Sequence, residues 1–415
     1  MENPFSVIYN FVSSSYIFRE IFSLLWSIAP LLLPALFVLV GTRLWLNYVR
    51  LAYIQKTGTV LLEIRLPIEI SKSPKAMEMF FGALYQKGSV TILETFFDGK
   101  TRPWFSLELV SLGGAVKYFI STQPKYRTII ETQLYAHFPG IEIYEVPDYT
   151  TSTEYSDRIS MWGTYFILTK PDAYPIRTYI DYGLDKDPKE EFKIDPIVPV
   201  LEYLGSMKRG QQVWIQILIQ AHRKEGFSDA RVRAKPDWKT EAQNEIKMIK
   251  EKTVVIDEET KKPMFSNMTE GQREAIQSIE RSLDKYPFEV AIRGIYLTEA
   301  DVFDPAGITG LIGSVSQYSS NGELNGFKLG WFTDFDYPWQ DFKRIRRTSA
   351  EKKMLKAYKL RSFFQPPFKH FKQKPIILTT EELATIFHFP GSVASTPSFQ
   401  RIVSRKAEAP SNLPI

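Results

Sequence analysis

At 415 residues with 44% hydrophobic side chains, the chain is too long for one ordinary domain and too apolar to be disordered throughout, so two or three folded units are expected. It contains no Cys, which excludes a disulfide scaffold, thiolate zinc sites, iron–sulfur clusters and cysteine nucleophiles. Lys and Arg number 52 against 47 Asp and Glu, a net +5 that names no partner.

From Ile21 to Thr42 the chain reads IFSLLWSIAPLLLPALFVLVGT without a charge. As a helix this run spans about 33 Å at about 1.5 Å per residue, the thickness of a bilayer core. The positive flank, Arg43, Arg50, Lys56 and Arg65, follows it, so the positive-inside rule puts residues 1–20 outside and the rest in the cytoplasm of a single-pass membrane protein. Pro30 and Pro34 are tolerated in a span. A cleaved signal peptide fits less well, for want of a basic start and a small-residue cleavage site. So does a buried soluble helix, which seldom holds so long an uncharged run. Residues 1–20 carry Phe5, Ile8, Phe11, Val12 and Tyr16 at helical spacing, the pattern of a short amphipathic segment.

Beyond the span, Thr59–Pro67 predicts a strand. A helix follows Ser73-Pro74, bearing Met77, Phe80, Phe81, Leu84 and Tyr85 on one stripe. Trp104–Leu112 and Ala115–Thr122 form a hairpin across Gly113-Gly114, Pro124–His137 is a helix and Gly140–Val146 a strand. That order, across residues 55–150, is the split βαβ arrangement of a ferredoxin-like unit, with one sheet face left free for a partner.

Residues 160–335 predict a second α+β unit of the same type. Gly163–Lys170 and Tyr174–Tyr182 read as strands, Asp195-Pro196 opens a helix with Ile197, Val200, Leu201, Leu204 and Met207, and Gln211–Ala221 is a strand with Val213, Ile215, Ile217 and Ile219 on one face. Residues 222–267 form a charged insertion, with a helix near Lys239–Glu251. Thr269 and Gln272 make a capping box for the next helix, Phe288–Leu297 is a strand, and Asp304-Pro305 opens a final helix. The fold class is therefore α+β: one transmembrane helix, two ferredoxin-like units and a basic C-terminal tail over residues 340–415.

Catalytic patterns are missing where they would be diagnostic. Gly99-Lys100-Thr101 is the nearest approach to a P-loop, but Glu94 occupies its first glycine position, and Asp98-Gly99 is a turn signal. Gly307, Gly310 and Gly313 suit close helix packing. The four histidines, His137, His222, His370 and His388, have no metal-ligand spacing. Glu381-Glu382 fits a T-x-x-E capping box opened by Thr379. No cofactor, metal or catalytic residue is expected.

The charge is unevenly placed. Between Lys343 and Lys374 stand Lys343, Arg344, Arg346, Arg347, Lys352, Lys353, Lys356, Lys359, Arg361, Lys369, Lys372 and Lys374 with one acid, Glu351, so this segment carries +11 and the remainder −6. Tyr358, Phe363, Phe364, Phe368 and Phe371 are threaded through it. Cations collect phosphates while rings stack on bases or enter a headgroup layer, so the segment suits DNA or an anionic lipid surface. A solvated helix over Thr348–Arg361 followed by a linker is the competing reading.

The strings TEGQREAIQSIERSL, FEVAIRGIYL, FDPAGITGLIGSVSQYSS with ELNGFK, and TTEELATIFHFPGSVASTP followed by APSNLPI resemble the region ahead of the motor domain in membrane-anchored conjugation and type IV secretion ATPases of the HerA/FtsK-like superfamily. DPIVPVLEYLGSMKRGQQVWIQILIQ is similar to the same family's N-terminal domain, so the resemblance covers about residues 55–415. Those ATPases continue into a P-loop domain after the part matching Ala409–Pro414, and no ATPase residue carries over to this chain. The resemblance implies a non-enzymatic, oligomeric scaffold of a bacterial transfer system that docks a separate P-loop motor ATPase and other secretion components. A membrane-tethered nucleic-acid-binding protein is the alternative.

Overall fold

The computed structural model describes residues 16–67, 72–88, 90–186, 194–223, 237–256, 263–266, 268–320, 322–335 and 337–391. The expected amphipathic segment 1–20 lies almost wholly outside these residues. So do much of the charged insertion and everything past 391, including the Ala409–Pro414 match.

Helix α1 (Tyr16–Thr57) runs 15 residues past the expected end of the apolar stretch. It is long and apolar enough to cross a membrane. Pro30 and Pro34 lie inside it. Strands β1 (Val60–Arg65), β2 (Phe105–Leu112), β3 (Ala115–Thr122), β4 (Glu142–Glu145), β5 (Ile159–Leu168), β6 (Gln211–Ala221), β9 (Pro287–Glu299) and β10 (Phe327–Phe332) form one antiparallel sheet in the order β10-β5-β9-β6-β2-β3-β1-β4, and β11 (Ile376–Thr379) also pairs with β9. β7 (Val254–Ile256) and β8 (Pro263–Ser266) make a separate hairpin.

Outward from its centre, each half of the sheet reads second, third, first and fourth strand of its own segment: β2-β3-β1-β4 one way and β6-β9-β5-β10 the other. The two expected units thus share one sheet, joined where β2 and β6 pair from Phe105↔Ile219 to Leu112↔Gln212. Both strands alternate so that Leu107, Leu109, Ile215 and Ile217 face one core while Val110, Trp214 and Leu218 face the other.

The first core is covered by α2 (Lys75–Leu84), α3 (Arg127–His137), α4 (Val198–Gly205), α7 (Pro305–Gly313) and α9 (Thr380–Ile386). Met77, Phe80, Phe81 and Leu84 of α2 are all fully buried there, as their helical spacing predicts. Tight contacts explain two of the three glycines of α7: a Cβ on Gly307 would meet the Tyr296 ring at 2.5 Å, and one on Gly310 the Tyr203 ring at 2.4 Å. The Gly113-Gly114 turn has φ of 61° and 92°, the positive values that a two-residue hairpin needs. α5 (Trp238–Thr253) and α6 (Glu270–Leu283) pack on each other through Ala242, Ile246, Ile276 and Ile279, and α6 is opened by the full Thr269/Gln272 capping box.

Tyr174–Tyr182 is not a strand. Its backbone donors are spent in turns and on other elements instead of a neighbouring strand: Ile176 N donates to Glu382 Oε1 of α9 at 3.0 Å, Tyr179 N to Thr385 Oγ1 of α9 at 2.9 Å, Arg177 N to Tyr318 O at 3.1 Å and Thr178 N to Asp181 Oδ2 at 2.7 Å. The 376–386 segment, expected in the tail, completes the central sheet and its core. β11 pairs with Pro287 to Val290 of β9, just past the point where β5 stops pairing, and every residue of α9 is buried.

Candidate functional site

The second sheet face, expected to be free, is covered. Helix α8 (Ile345–Lys359) lays Met354, Leu355 and Tyr358 on it, followed by Phe363 and Phe364. The basic segment is therefore a docked element and not a loose tail.

Buried charge holds it there. Arg361, 5% exposed, donates through Nε to Glu108 Oε1 at 2.8 Å and through Nη1 to Asp148 Oδ2 at 2.6 Å. Glu108 also accepts from Ser106 Oγ at 2.6 Å, Gln216 Nε2 at 2.8 Å and Tyr149 OH at 2.8 Å. Arg293, fully buried on β9, donates to Gln216 Oε1 at 2.6 Å and to the Ala357 carbonyl in the last turn of α8 at 2.8 Å. A cation at that position suits the negative end of the helix dipole. Burial raises the Tyr149 and Tyr358 hydroxyls well above their ordinary range, so both stay neutral. Burial would raise Asp148 too, but its hydrogen bond with Arg361 holds it below the usual carboxylate value.

Arg361 also ends the helix. Its φ is 49°, its N–H bonds to Tyr358 O at 2.9 Å, and Ser362 N bonds to Ala357 O at 3.0 Å. This is the Schellman pattern with arginine where glycine is usual. The left-handed backbone is offset by the ion pairs that its side chain makes.

The twelve cations of the basic segment therefore separate into two groups. Arg361 is consumed by the network, and Arg347 by Asp334 at 3.0 Å and Glu351 at 2.8 Å. Lys352, Lys353 and Lys356 are exposed on the outer side of α8, with Lys359 half-buried beside them, and Lys352 lies 5.3 Å from the centre of the Tyr155 ring. Lys343, Arg344 and Arg346 are exposed just before or within the first turn, with the Arg346 guanidinium 4.9 Å from the Phe335 ring centre. Lys369, Lys372 and Lys374 are exposed beyond it, Lys372 lying 5.8 Å from the Trp331 ring.

The aromatic partners differ from those expected. Tyr358, Phe363 and Phe364 are core residues and Phe368 and Phe371 are half-buried, whereas Trp339 is 67% and Phe342 89% exposed, with Tyr337 stacked on Trp339 at 4.6 Å. The sequence held a sign of this: Tyr337-Pro338-Trp339 precedes the basic run with no apolar rhythm to bury it. The exposed surface thus joins a Tyr337–Phe342 aromatic patch to a lysine ridge on α8.

The histidines stay apart. His137 closes α3, His222 meets Glu289 at 3.3 Å, and His388 bridges Asp195 at 2.8 Å and the Ala384 carbonyl. Among the described residues, no group of His, Asp and Glu is placed to hold a metal ion. Glu382 completes the expected box with Thr379, and burial raises its carboxyl to about 7. Burial raises Glu381 as well, against the pull of Thr178 and Arg281.

These features define a mixed α+β protein with one continuous antiparallel sheet, an apolar N-terminal helix and a basic helix on the second sheet face. The chain belongs to the family described as "Domain of unknown function (DUF8128)", whose model matches residues 71–401. That span takes in every described helix and strand except α1 and β1. No curated protein matches the chain.

Proposed function

We propose that the chain is a membrane-anchored, non-enzymatic docking scaffold of a conjugation-like or type IV secretion system, serving a separate P-loop motor ATPase. In this reading α1 spans the bacterial inner membrane with its N-terminus outside. Each half of the sheet is a ferredoxin-like unit, because the third strand lies between the first and second as a split βαβ requires. The observation that carries the reading is the locked α8: burying Arg361, Glu108 and Arg293 fixes one outward orientation for the lysines that they do not use. Such an arrangement suits a fixed docking surface more than an active site. The test is co-purification of the detergent-solubilised chain with a P-loop ATPase encoded beside it; no complex with any such motor rejects the proposal.

The exposed Tyr337, Trp339 and Phe342 beside Lys343, Arg344 and Arg346 favour a second reading, membrane-tethered binding of nucleic acid by stacking and phosphate contacts. Its mark is DNA affinity that falls steeply with salt and weakens when Trp339 and Phe342 become Ala. Salt-independent or absent binding removes it.

A further inference from the structure

Where α1 leaves its apolar run, a short built turn is fastened to it. Thr91 and Glu94 close its start as a capping box: Thr91 N donates to Glu94 Oε2 at 2.9 Å, and Glu94 N to Thr91 Oγ1 at 3.3 Å. Glu94–Asp98 then winds as one π-helical turn. The Glu94 carboxylate is also paired with Lys100 Nζ at 2.7 Å, so its charge is matched within the turn. Ile92, Leu93 and Phe97 nevertheless face outward, Leu93 being 69% and Phe97 68% exposed.

Two contacts hold the turn against α1. Trp45 Nε1 donates to the Phe96 carbonyl at 2.7 Å. Gly99, at φ 65°, sits so close that a Cβ would lie 2.2 Å from the Val49 carbonyl oxygen. Leu46 and Val49 of this stretch are buried, and Ile54, further along, packs on the second core. The turn, the end of α1 and the sheet are thus one packed body.

Position along α1 decides what covers the exposed side chains. Trp45 lies about 4.5 Å and Tyr48 about 9 Å beyond Thr42 along the helix axis, and a headgroup layer is some 5–8 Å deep. The turn is tied to α1 between Trp45 and Val49, the level at which a bilayer crossed by α1 gives way to water. Exposed Trp45 and Tyr48 at that level match the aromatic belt of a membrane protein. Asp98, exposed beside Phe97, is tolerated among headgroups but costly in hydrocarbon, which limits the turn to the boundary.

We propose that residues 92–97 form a second membrane contact, with Ile92, Leu93 and Phe97 seated in the headgroup–acyl boundary beside α1. With two points of contact, the helix and the turn, the sheet is held at a fixed height and rotation over the lipid surface. The proposal rests on α1 being inserted in a membrane. It is independent of the lysine ridge on α8 and of any motor.

The chain has no Cys, so single cysteines can be placed in the full protein and labelled with an environment-sensitive nitrobenzoxadiazole dye in phosphatidylcholine vesicles. The variants are Leu93→Cys and Phe97→Cys in the turn and Leu32→Cys in the middle of the apolar run. Dyes at positions 93 and 97 are expected to emit blue-shifted from their position in water, and to be quenched more by a nitroxide on the lipid headgroup than by one deep in the acyl chain. The dye at position 32 should show the reverse preference. Water-like emission at 93 and 97, with position 32 quenched from within the acyl chains, overturns the second contact and leaves the anchor standing. Blue-shifted emission at 93 and 97 that neither lipid nitroxide quenches overturns it in favour of cover by protein, such as a second copy of the chain. Water-like emission at position 32 defeats the anchor and the proposal together.

Discussion

The two faces of the sheet both carry apolar cores, but they hold their helices differently. One is an apolar core under short helices, where Phe81, Leu134, Leu204 and Leu311 fill space without polar partners. The other holds α8 through Glu108, Arg361, Arg293 and Gln216, all buried. Hydrocarbon contacts tolerate small rotations of a helix, but a guanidinium clamped to two carboxylates does not. Buried ion pairs contribute little net stability, and breaking one is costly because the surviving charge is left unpaired. The buried network therefore fixes how α8 is presented, while apolar burial on both faces supplies most of the stability.

Substitutions can break this contrast. Arg361→Met leaves Glu108 buried without its main partner and is expected to cost about 3–5 kcal/mol in denaturant unfolding. Adding Glu108→Gln should restore much of that loss. If the double variant is no better than the single, the network is not acting as a charge balance. On the apolar face, Leu134→Ala should cost about 2–4 kcal/mol from lost burial and the cavity left behind, without changing how α8 is docked.

Stability should also depend on pH through α9. Burial raises Glu382 to about 7 from an ordinary 4.5, so the folded chain keeps a proton that the unfolded chain has lost. The stabilisation is full below the unfolded value and is lost as the pH climbs through the folded one, a change on the order of 3 kcal/mol. Thermal melts of Glu382→Gln from acid to neutral pH should show a flatter profile than the parent; identical profiles would contradict the burial argument. The smallest expected effect is on the outer ridge. Replacing Lys352, Lys353 and Lys356 with Gln should change stability by less than about 0.5 kcal/mol each, because these side chains are exposed.

Most of the elements were legible in the residues, since helical stripes such as Met77-Phe80-Phe81-Leu84 and alternation such as that of Gln211–Ala221 are local. Caps at Thr269, Asp304 and Thr379 were legible for the same reason. Pairing between the halves was not: nothing in β2 or β6 alone announces that they are neighbours. Tyr174–Tyr182 reads as a strand from its apolar alternation, but that alternation serves a turn whose donors go to α9, to Tyr318 and to the turn itself. The basic segment was visible as charge, but separating Arg361 and Arg347 from the lysines required their distant partners, Glu108, Asp148 and Asp334.

The central claim is that α8 presents a docking surface for a motor. The most direct measurement is capture of an adjacent P-loop ATPase by the detergent-solubilised full chain, compared with a Lys352→Glu, Lys353→Glu, Lys356→Glu variant of unchanged melting temperature. The scaffold account predicts capture by the parent chain and its loss in the variant. Equal capture by both, or none by either, would contradict it.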